Sequence, residues 1–162
     1  MKTNNINNKI NGNSLLASLN SGKKLAPYWV TGITDAEGNF FINKQMGVNR
    51  QKFTLAFKVT QKKHSMGILL ALQKYFSCGN IQIDNRKHDT YKFQVTKLQD
   101  ITNIIIPHFS NYCLLTSKHL DFLDFKKASI LIKTGLHLKE SGQNIILDIK
   151  NNMNNKRTYD KR

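Results

Sequence analysis

The most informative stretch of this 162-residue chain is Val30-Thr31-Gly32-Ile33-Thr34-Asp35-Ala36-Glu37-Gly38. It reads as the end of a short helix, because Pro27 is favourable in a first helical turn. Gly32 and Ala36 are four residues apart, so they share one helix face and leave it almost free of side chains. Such a face lets another helix approach closely. Gly38 is expected to supply the positive φ that ends the helix.

Two carboxylates stand at the exit of this helix, where the macrodipole is negative and acids are not normally favoured. They are Asp35 and Glu37, in a chain whose formal net charge is +15. We expect a carboxylate at this position to bind a hard cation. The alternative is an ordinary helix end whose acids are solvated and whose glycine terminates the helix.

Four segments of the chain resemble one protein family. Residues 28–40 resemble the signature of the LAGLIDADG homing endonucleases. In order and spacing, residues 57–61 resemble the end of the family's second strand, and residues 114–118 resemble the approach to its third long helix. Residues 137–142, followed by Met153 and Asn154, resemble the C-terminal helix of the fungal organellar branch. The resemblance covers the chain from about Leu25 to Arg157.

Composition indicates a polyanionic partner. Twenty-five Lys and Arg against ten Asp and Glu give a pI near 9.9, which is the electrostatic signature of a nucleic-acid-binding chain. No window approaches the roughly 18 apolar residues of a transmembrane helix, so we expect no membrane partner. Cys78 and Cys113 form no disulfide framework, and the histidines lack zinc-ligand spacing.

Hydrophobic periodicity predicts one α+β domain. Helices are predicted at residues 27–36, 66–75, 100–109 (interrupted near Pro107), 119–131 and 140–152, and strands at 39–46, 52–61, 80–84 and around 91–95. The order αββαββα, followed by further helices, indicates a four-stranded antiparallel sheet with helices on its back. The domain is expected at residues 25–153, after a flexible polar segment (1–24) and before a basic tail (154–162).

The second strand has two different faces. Phe53, Leu55, Phe57 and Val59 alternate with Lys52, Thr54, Ala56, Lys58 and Thr60, which predicts one apolar and one polar face. Asn, Gln and Lys side chains can read base edges in the major groove. The resemblance implies that members of the family bind their DNA on this surface of the sheet. A merely solvated face is the alternative. The residues predicted to bind DNA are Asn43, Gln45, Lys52, Thr54, Lys58, Gln82, Asp84, Lys92 and Gln94.

Basic residues outside the sheet are predicted to position the DNA through its phosphates rather than to read its sequence. They are Lys118, Lys156, Arg157, Lys161 and Arg162.

The resemblance also implies a metal-dependent endonuclease that hydrolyses phosphodiesters with Mg²⁺ or Mn²⁺. Glu37 stands at the family's metal-binding acid, where many members have Asp, and the Ala36 carbonyl would be a second ligand. Asp35 is expected to face structure rather than metal. Gln61 matches the position that orders active-site solvent, and Lys118 matches the basic residue beside the scissile phosphate. Alternatively, Gln61 is a polar strand-end residue and Lys118 a helix-terminal charge.

A single motif implies that two chains are needed, because the family's bare helix packs against a copy of itself. We expect an isologous homodimer whose interface includes Thr31, Gly32, Asp35 and Ala36. A strand of about 8 residues spans roughly 26 Å, so two sheets would cover roughly 20 base pairs of a near-palindromic site.

Three other interpretations stay open. The chain could be half of a two-motif enzyme, without activity alone. It could also be a maturase that binds group I intron RNA to assist splicing, or a module that keeps the fold only to bind DNA. Retention of Glu37, Gln61 and Lys118 together favours a nuclease, since a pure binder needs none of them.

The amino-acid composition bears on where the chain is made. The abundant Asn, Lys and Ile have AT-rich codons, and the Asn-rich residues 1–13 resemble neither a secretory signal nor an import presequence. We therefore expect a protein encoded inside an organelle, in a mitochondrial rather than a chloroplast genome. A low-GC bacterium or phage is the alternative, since its proteins would have the same composition.

Overall fold

The computed structural model describes residues 25–47 and 51–157. In chain order these hold α1 (Pro27–Glu37), β1 (Gly38–Met46), β2 (Gln51–Lys62), α2 (Met66–Phe76), β3 (Asn80–Asn85), β4 (Thr90–Val95), α3, α4 (Lys118–Lys133) and α5 (Glu140–Asn151). Helix α3 consists of Leu98–Asp100, the π-helical Ile101–Ile105 and Ile106–Asn111. Short 3₁₀ turns lie at Lys63–Ser65, Leu136–Leu138 and Asn154–Lys156. The predicted order of elements is confirmed; the segment 1–24, residues 48–50 of the first hairpin turn and residues 158–162 lie outside the described part.

The strands form one four-stranded sheet in the order β1-β2-β4-β3, antiparallel at every pairing. Gly38 pairs with Val59, so β2 continues past the start of β1, toward the last turn of α1. The α+β prediction with a four-stranded antiparallel sheet is therefore confirmed.

Aromatic rings fill the space between the sheet and the helices. Phe40 of β1 stacks on Phe57 of β2 at 5.1 Å between centroids, and it contacts Phe109 at 5.4 Å and Phe125 at 5.3 Å. All four are fully buried, and each contributes roughly 1.5–3 kcal/mol through burial. Ala56 is fully buried although the register pairs it with Phe41 on the polar side of the sheet, as the alternation predicts.

Helix α3 contains a proline, Pro107. Pro107 has no N–H to donate to the preceding turn, and the helix widens to π-helical geometry over Ile101–Ile105 immediately before it. The predicted interruption near Pro107 is thus a widened turn within a continuous helix. No helix within residues 25–47 and 51–157 has the length and apolarity needed to cross a membrane.

The structured domain continues past residue 153. The backbone N–H of Asn154 donates to Asp121 at 2.9 Å, and its side-chain amide donates to the carbonyl of Phe40 at 3.1 Å. Arg157 also contacts Asp121, at 2.9 Å. The boundary predicted after residue 153 is therefore too early, because polar contacts with α4 and β1 hold the following residues in place.

The junction between α1 and β1 corrects the role expected of Gly38. Its φ of −79° and ψ of 160° are extended, not left-handed. A Cβ at this position would lie 2.5 Å from the Thr34 methyl and 2.6 Å from the Thr34 carbonyl oxygen. Glycine is required here because the chain turns into β1 directly against the last turn of α1.

Candidate active site and nucleic-acid interface

Asp35 ties the end of α1 to the loop that precedes α4. One carboxylate oxygen accepts the backbone N–H of Leu115 at 2.8 Å, and the other accepts the N–H and hydroxyl of Thr116 at 3.2 and 2.7 Å. The carboxylate is thus engaged by its own chain. This agrees with the structural role expected of Asp35; its place in a dimer interface stays a prediction.

Lys118 reaches from the first turn of α4 to the C-terminal end of α1. Its Nζ donates to the carbonyl of Asp35 at 2.8 Å and lies 3.5 Å from the carbonyl of Ala36. A cation at this helix end complements its exposed carbonyl groups. The loop held by the Asp35 side chain therefore brings the ammonium group to the backbone carbonyl of Asp35, two residues before Glu37.

Glu37 presents its carboxylate to solvent at this same place. The side chain is exposed, and within the described residues it makes no hydrogen bond or ion pair. Gln61 lies on β2 beyond the Gly38–Val59 pair, on the helix-facing side of the sheet. The first strand begins and the second ends here, so the acid, the amide and the ammonium of Lys118 all belong to the same end of the sheet.

The donors at the end of α1 suit a hard divalent cation. Glu37 offers a free carboxylate, and the Ala36 carbonyl receives only the long contact of 3.5 Å from Lys118. Within residues 25–47 and 51–157, no three or more Asp, Glu, His or Cys side chains group as a metal site. Because Mg²⁺ keeps several waters and uses few protein carboxylates, one acid and one carbonyl fit part of such a site.

The outward face of α1 is open, as the spacing predicts. Gly32 and Ala36 are exposed, and a Cβ at Gly32 would meet no atom within 4 Å. Thr31 does not share this face. It is buried and donates its hydroxyl to the carbonyl of Tyr112 at 3.0 Å, so the expectation that Thr31 faces a partner chain is corrected.

The predicted DNA-binding residues lie together on one face of the sheet. Strand register places Asn43 beside Thr54, Gln45 beside Lys52, and Lys58 beside Gln94. The polar sheet face is defined by Asn43, Gln45, Lys52, Thr54, Lys58, Gln82, Asp84, Lys92 and Gln94. By register Asn39, Phe41, Thr60, Lys62, Asn80 and Thr90 also belong to it.

Several of these side chains are already paired with one another. The amide of Gln82 donates to that of Gln94 at 2.7 Å. Lys58 lies over the ring of Phe41, with Nζ 5.6 Å from its centroid. We did not predict a role for Phe41, although the strand alternation would have placed it on this face. Apolar side chains can contact the methyl group of thymine, so Phe41 joins the candidate contacts.

One tail residue predicted to contact phosphates is engaged inside the protein. Arg157 pairs with Asp121 at 2.9 Å and with Asp124 at 2.6 Å, and its side chain is only 15% exposed. The hydrogen bonds to these carboxylates raise the pKa of Arg157, against the opposing effect of burial. The phosphate role of Arg157 is therefore corrected, whereas Lys156 is exposed; Lys161 and Arg162 lie outside the described residues.

Known proteins show the same sequence features. The LAGLIDADG endonuclease family matches residues 30–129. The "Probable intron-encoded endonuclease 2" of Neurospora crassa is 40% identical over 144 residues, covering 87% of this chain and 30% of that protein. The "Intron-encoded DNA endonuclease aI3" of Saccharomyces cerevisiae is 33% identical over 140 residues, covering 70% of this chain and 34% of that protein.

Solved structures show the same fold. The homing endonuclease I-TnaI aligns with a TM-score of 0.77 and 29% identity, over 82% of this chain and 90% of that one. The LAGLIDADG homing endonuclease I-SmaMI, bound to cleaved DNA, aligns with a TM-score of 0.78 and 29% identity, over 82% of this chain and 45% of that one. The chain belongs to the LAGLIDADG endonuclease family. It spans about a third of the length of the curated relatives it matches.

Proposed function

We propose that this chain is a site-specific homing endonuclease that cleaves double-stranded DNA as a homodimer, with Mg²⁺ or Mn²⁺. The observation that carries the proposal is the end of α1. There the carboxylate of Glu37 is exposed and unpaired within the described residues, and the ammonium of Lys118 is fixed 2.8 Å from the carbonyl of Asp35 and 3.5 Å from that of Ala36, the residue before Glu37. The likeness to I-SmaMI, whose structure holds cleaved DNA, supports the proposal.

The chemistry assigns a separate task to each residue. Glu37 and the Ala36 carbonyl would hold the cation, which when bound lowers the pKa of water and takes up negative charge. The Gln61 amide would orient the attacking water by hydrogen bonding. Lys118 would stabilise charge on the scissile phosphate, and its anchoring at α1 fixes the ammonium before DNA arrives.

The homodimer follows from the open face at Gly32 and Ala36. Two copies of this face can approach backbone to backbone, since a Cβ at Gly32 meets no atom within 4 Å. An isologous pair would bring two Glu37 carboxylates to one centre, one for each DNA strand. It would also place two polar sheet faces along roughly 20 base pairs of a near-palindromic site.

A second candidate is that the chain works as half of a two-motif enzyme. The alignment to only 45% of the I-SmaMI chain favours this candidate, whereas the alignment to 90% of I-TnaI favours a chain of this size acting as a unit. The intron-encoded names of the relatives, together with the abundance of Asn, Lys and Ile, whose codons are AT-rich, support encoding in an intron of an AT-rich genome, which we propose to be mitochondrial. If the chain acts as a maturase instead, this origin indicates that the RNA it binds is a group I intron.

A binding selection, combined with sedimentation, tests the proposal. The native chain is incubated with a library of randomised 24-base-pair duplexes without divalent metal, and the bound duplexes are sequenced. Two inverted half-sites bound by two chains would support the homodimer. A single half-site bound by a monomer would support the half-enzyme. Absence of sequence preference, with tight binding of a group I intron transcript, would support the maturase.

A further inference from the structure

Asp84 lies at the register irregularity of β3 between Ile83 and Asn85, and its contacts with Lys58 and Lys92 place it on the polar sheet face, where it is the only carboxylate within the described strands. Its Oδ1 lies 3.4 Å from the Nζ of Lys92 on β4 and 3.9 Å from the Nζ of Lys58 on β2. A single acid at the edge strand thus gathers two ammonium groups from the two central strands. On this otherwise neutral or basic face, it places one hydrogen-bond acceptor beside two donors.

Neither stability nor general DNA affinity accounts for this arrangement. The three side chains are 22–29% exposed, and ion pairs of this kind contribute little because solvent screens them. A carboxylate on a DNA-facing surface also repels phosphates, so it opposes the general attraction of a chain with net charge +15. The carboxylate instead fixes the positions of two ammonium groups and adds a hydrogen-bond acceptor beside these two donors.

The geometry matches one kind of base pair. In the major groove guanine presents two acceptors, N7 and O6, while its partner cytosine presents the N4 amino donor. Lysine donates to guanine, and aspartate accepts from cytosine. An adenine–thymine pair instead presents one donor, adenine N6, between the acceptors N7 and O4, followed by the thymine methyl group. Lys58, Lys92 and Asp84 follow one another across β2, β4 and β3, so two donors and one acceptor match the acceptor–acceptor–donor order of G·C and mismatch the acceptor–donor–acceptor order of A·T.

We propose that Asp84 is a specificity-determining residue, which positions Lys58 and Lys92 and reads with them one G·C pair in each half-site. This inference rests on the proposed DNA-cleaving function and deepens it. It has a second consequence: the carboxylate weakens binding to unrelated sequences, because it holds two lysines away from phosphates. Such a residue lowers the affinity for DNA of any sequence and increases the difference in affinity between the target site and other sites.

The test compares the native chain with Asp84→Asn and with a matched control, Asp148→Asn. Asp148 is exposed on α5 and lies outside the sheet, so the control makes the same charge change away from the polar sheet face. Each protein selects from the randomised 24-base-pair library without divalent metal, and each is titrated with a fixed scrambled duplex over a range of salt.

We expect the native chain to select G·C at one position of each half-site. In Asp84→Asn the preference for G·C at that position should fall about tenfold, and the base preferences at the other positions should stay unchanged. Its binding to the scrambled duplex should strengthen severalfold, with a log–log salt slope steeper by about 0.9 for each lysine released. Asp148→Asn should change none of these quantities. In Asp84→Asn combined with Lys58→Gln and Lys92→Gln, the added slope should vanish, because Asp84 acts through these lysines.

The outcomes distinguish the proposed role of Asp84 from the proposed endonuclease function. If Asp84→Asn selects the same sites with the same preference at every position, the inference is overturned while sequence-specific binding stands. If the native chain selects no motif, the proposed function itself fails. If a circular dichroism melt shows that Asp84→Asn is unfolded, Lys58→Gln with Lys92→Gln replaces it. That variant should lose the same G·C preference, and its retention would overturn the inference.

Discussion

The ammonium of Lys118 lies 2.8 Å from the backbone carbonyl oxygen of Asp35. The side chain of Asp35 meanwhile binds the N–H groups of Leu115 and Thr116, just before Lys118 in the chain. Asp35 therefore binds both the loop that leads into α4, through its side chain, and the ammonium group of Lys118, through its backbone carbonyl. The relationship explains an acid at a helix C-terminus without assigning it to a metal.

The first prediction follows from this anchoring. Asp35→Ala removes three hydrogen bonds from the loop before α4, so Lys118 loses its fixed position although both Glu37 and Lys118 remain. We expect kcat for DNA cleavage to fall at least about tenfold with little change in DNA affinity, because positioning contributes to the transition state. Asp148→Ala is the control in the same kinetic assay. A variant that cleaves at the native rate would show that the anchoring is unimportant.

The second prediction concerns the open face of α1. Gly32→Ala should keep the dimer and leave the fold as stable or more so, because alanine favours helix interiors by about 0.5–1 kcal/mol over glycine. Gly32→Leu should also fold, since nothing lies within 4 Å of its Cβ in one chain. It should nonetheless weaken dimerisation, because overpacking costs about 1–3 kcal/mol. Sedimentation equilibrium measures the effect, and a Gly32→Leu dimer of native affinity would exclude α1 as the interface.

The third prediction separates two neighbouring basic residues. Arg157→Gln should lower the free energy of unfolding by about 1.5–3 kcal/mol, because it leaves Asp121 and Asp124 without their cation. Its salt slope for DNA binding should stay native. Lys156→Gln should do the opposite, preserving stability and reducing the slope by about 0.9 if Lys156 contacts a phosphate. Urea unfolding and salt-dependent titration measure the two effects; equal slopes in all three proteins would remove Lys156 from the DNA contacts.

The fourth prediction is a pH dependence centred on His108. The ring is 8% exposed, its Nδ1 lies 3.2 Å from the hydroxyl of Tyr75, and burial lowers the pKa of His108 to about 4. Between pH 6.5 and 4 the unfolded chain binds this proton and the folded chain does not, so stability falls as pH falls through that window. The loss attributable to His108 should be up to about 3 kcal/mol.

The variant His108→Gln isolates this contribution. It cannot gain a charge, so the difference in urea-unfolding free energy between it and the native chain should change with pH between 6.5 and 4 and level off on either side. If that difference stayed constant across the window, His108 would not be the buried titrating group.

The sequence predicts the local features of this protein better than its long-range pairings. The bounds of α1 and the alternation in β2 follow from periods of 3.6 and 2, which each segment carries by itself. The polar sheet face follows from the same alternation. The partners of Asp35 and Arg157 do not, because they lie 80 and 36 residues away along the chain and depend on how separate elements pack.

Gly38 shows the same limit at short range. Its position after an acidic helix end indicates a left-handed cap, and that conformation is absent here. The reason for the glycine is the close approach of Thr34, which depends on the direction in which β1 leaves the helix. Sequence locates such a residue correctly, but the physical cause requires the packed structure.

Cleavage by the native chain and by Glu37→Gln tests the central claim most directly. Duplexes recovered by the binding selection are cloned into a plasmid, and each protein is incubated with it in Mg²⁺ or in EDTA. We expect the native chain to linearise the plasmid at the cloned site in Mg²⁺ only. Glu37→Gln should bind the same duplex with similar affinity but leave the plasmid intact. Cleavage at the native rate by Glu37→Gln, or in EDTA, would contradict the assignment of Glu37 as the metal-binding acid of a DNA endonuclease.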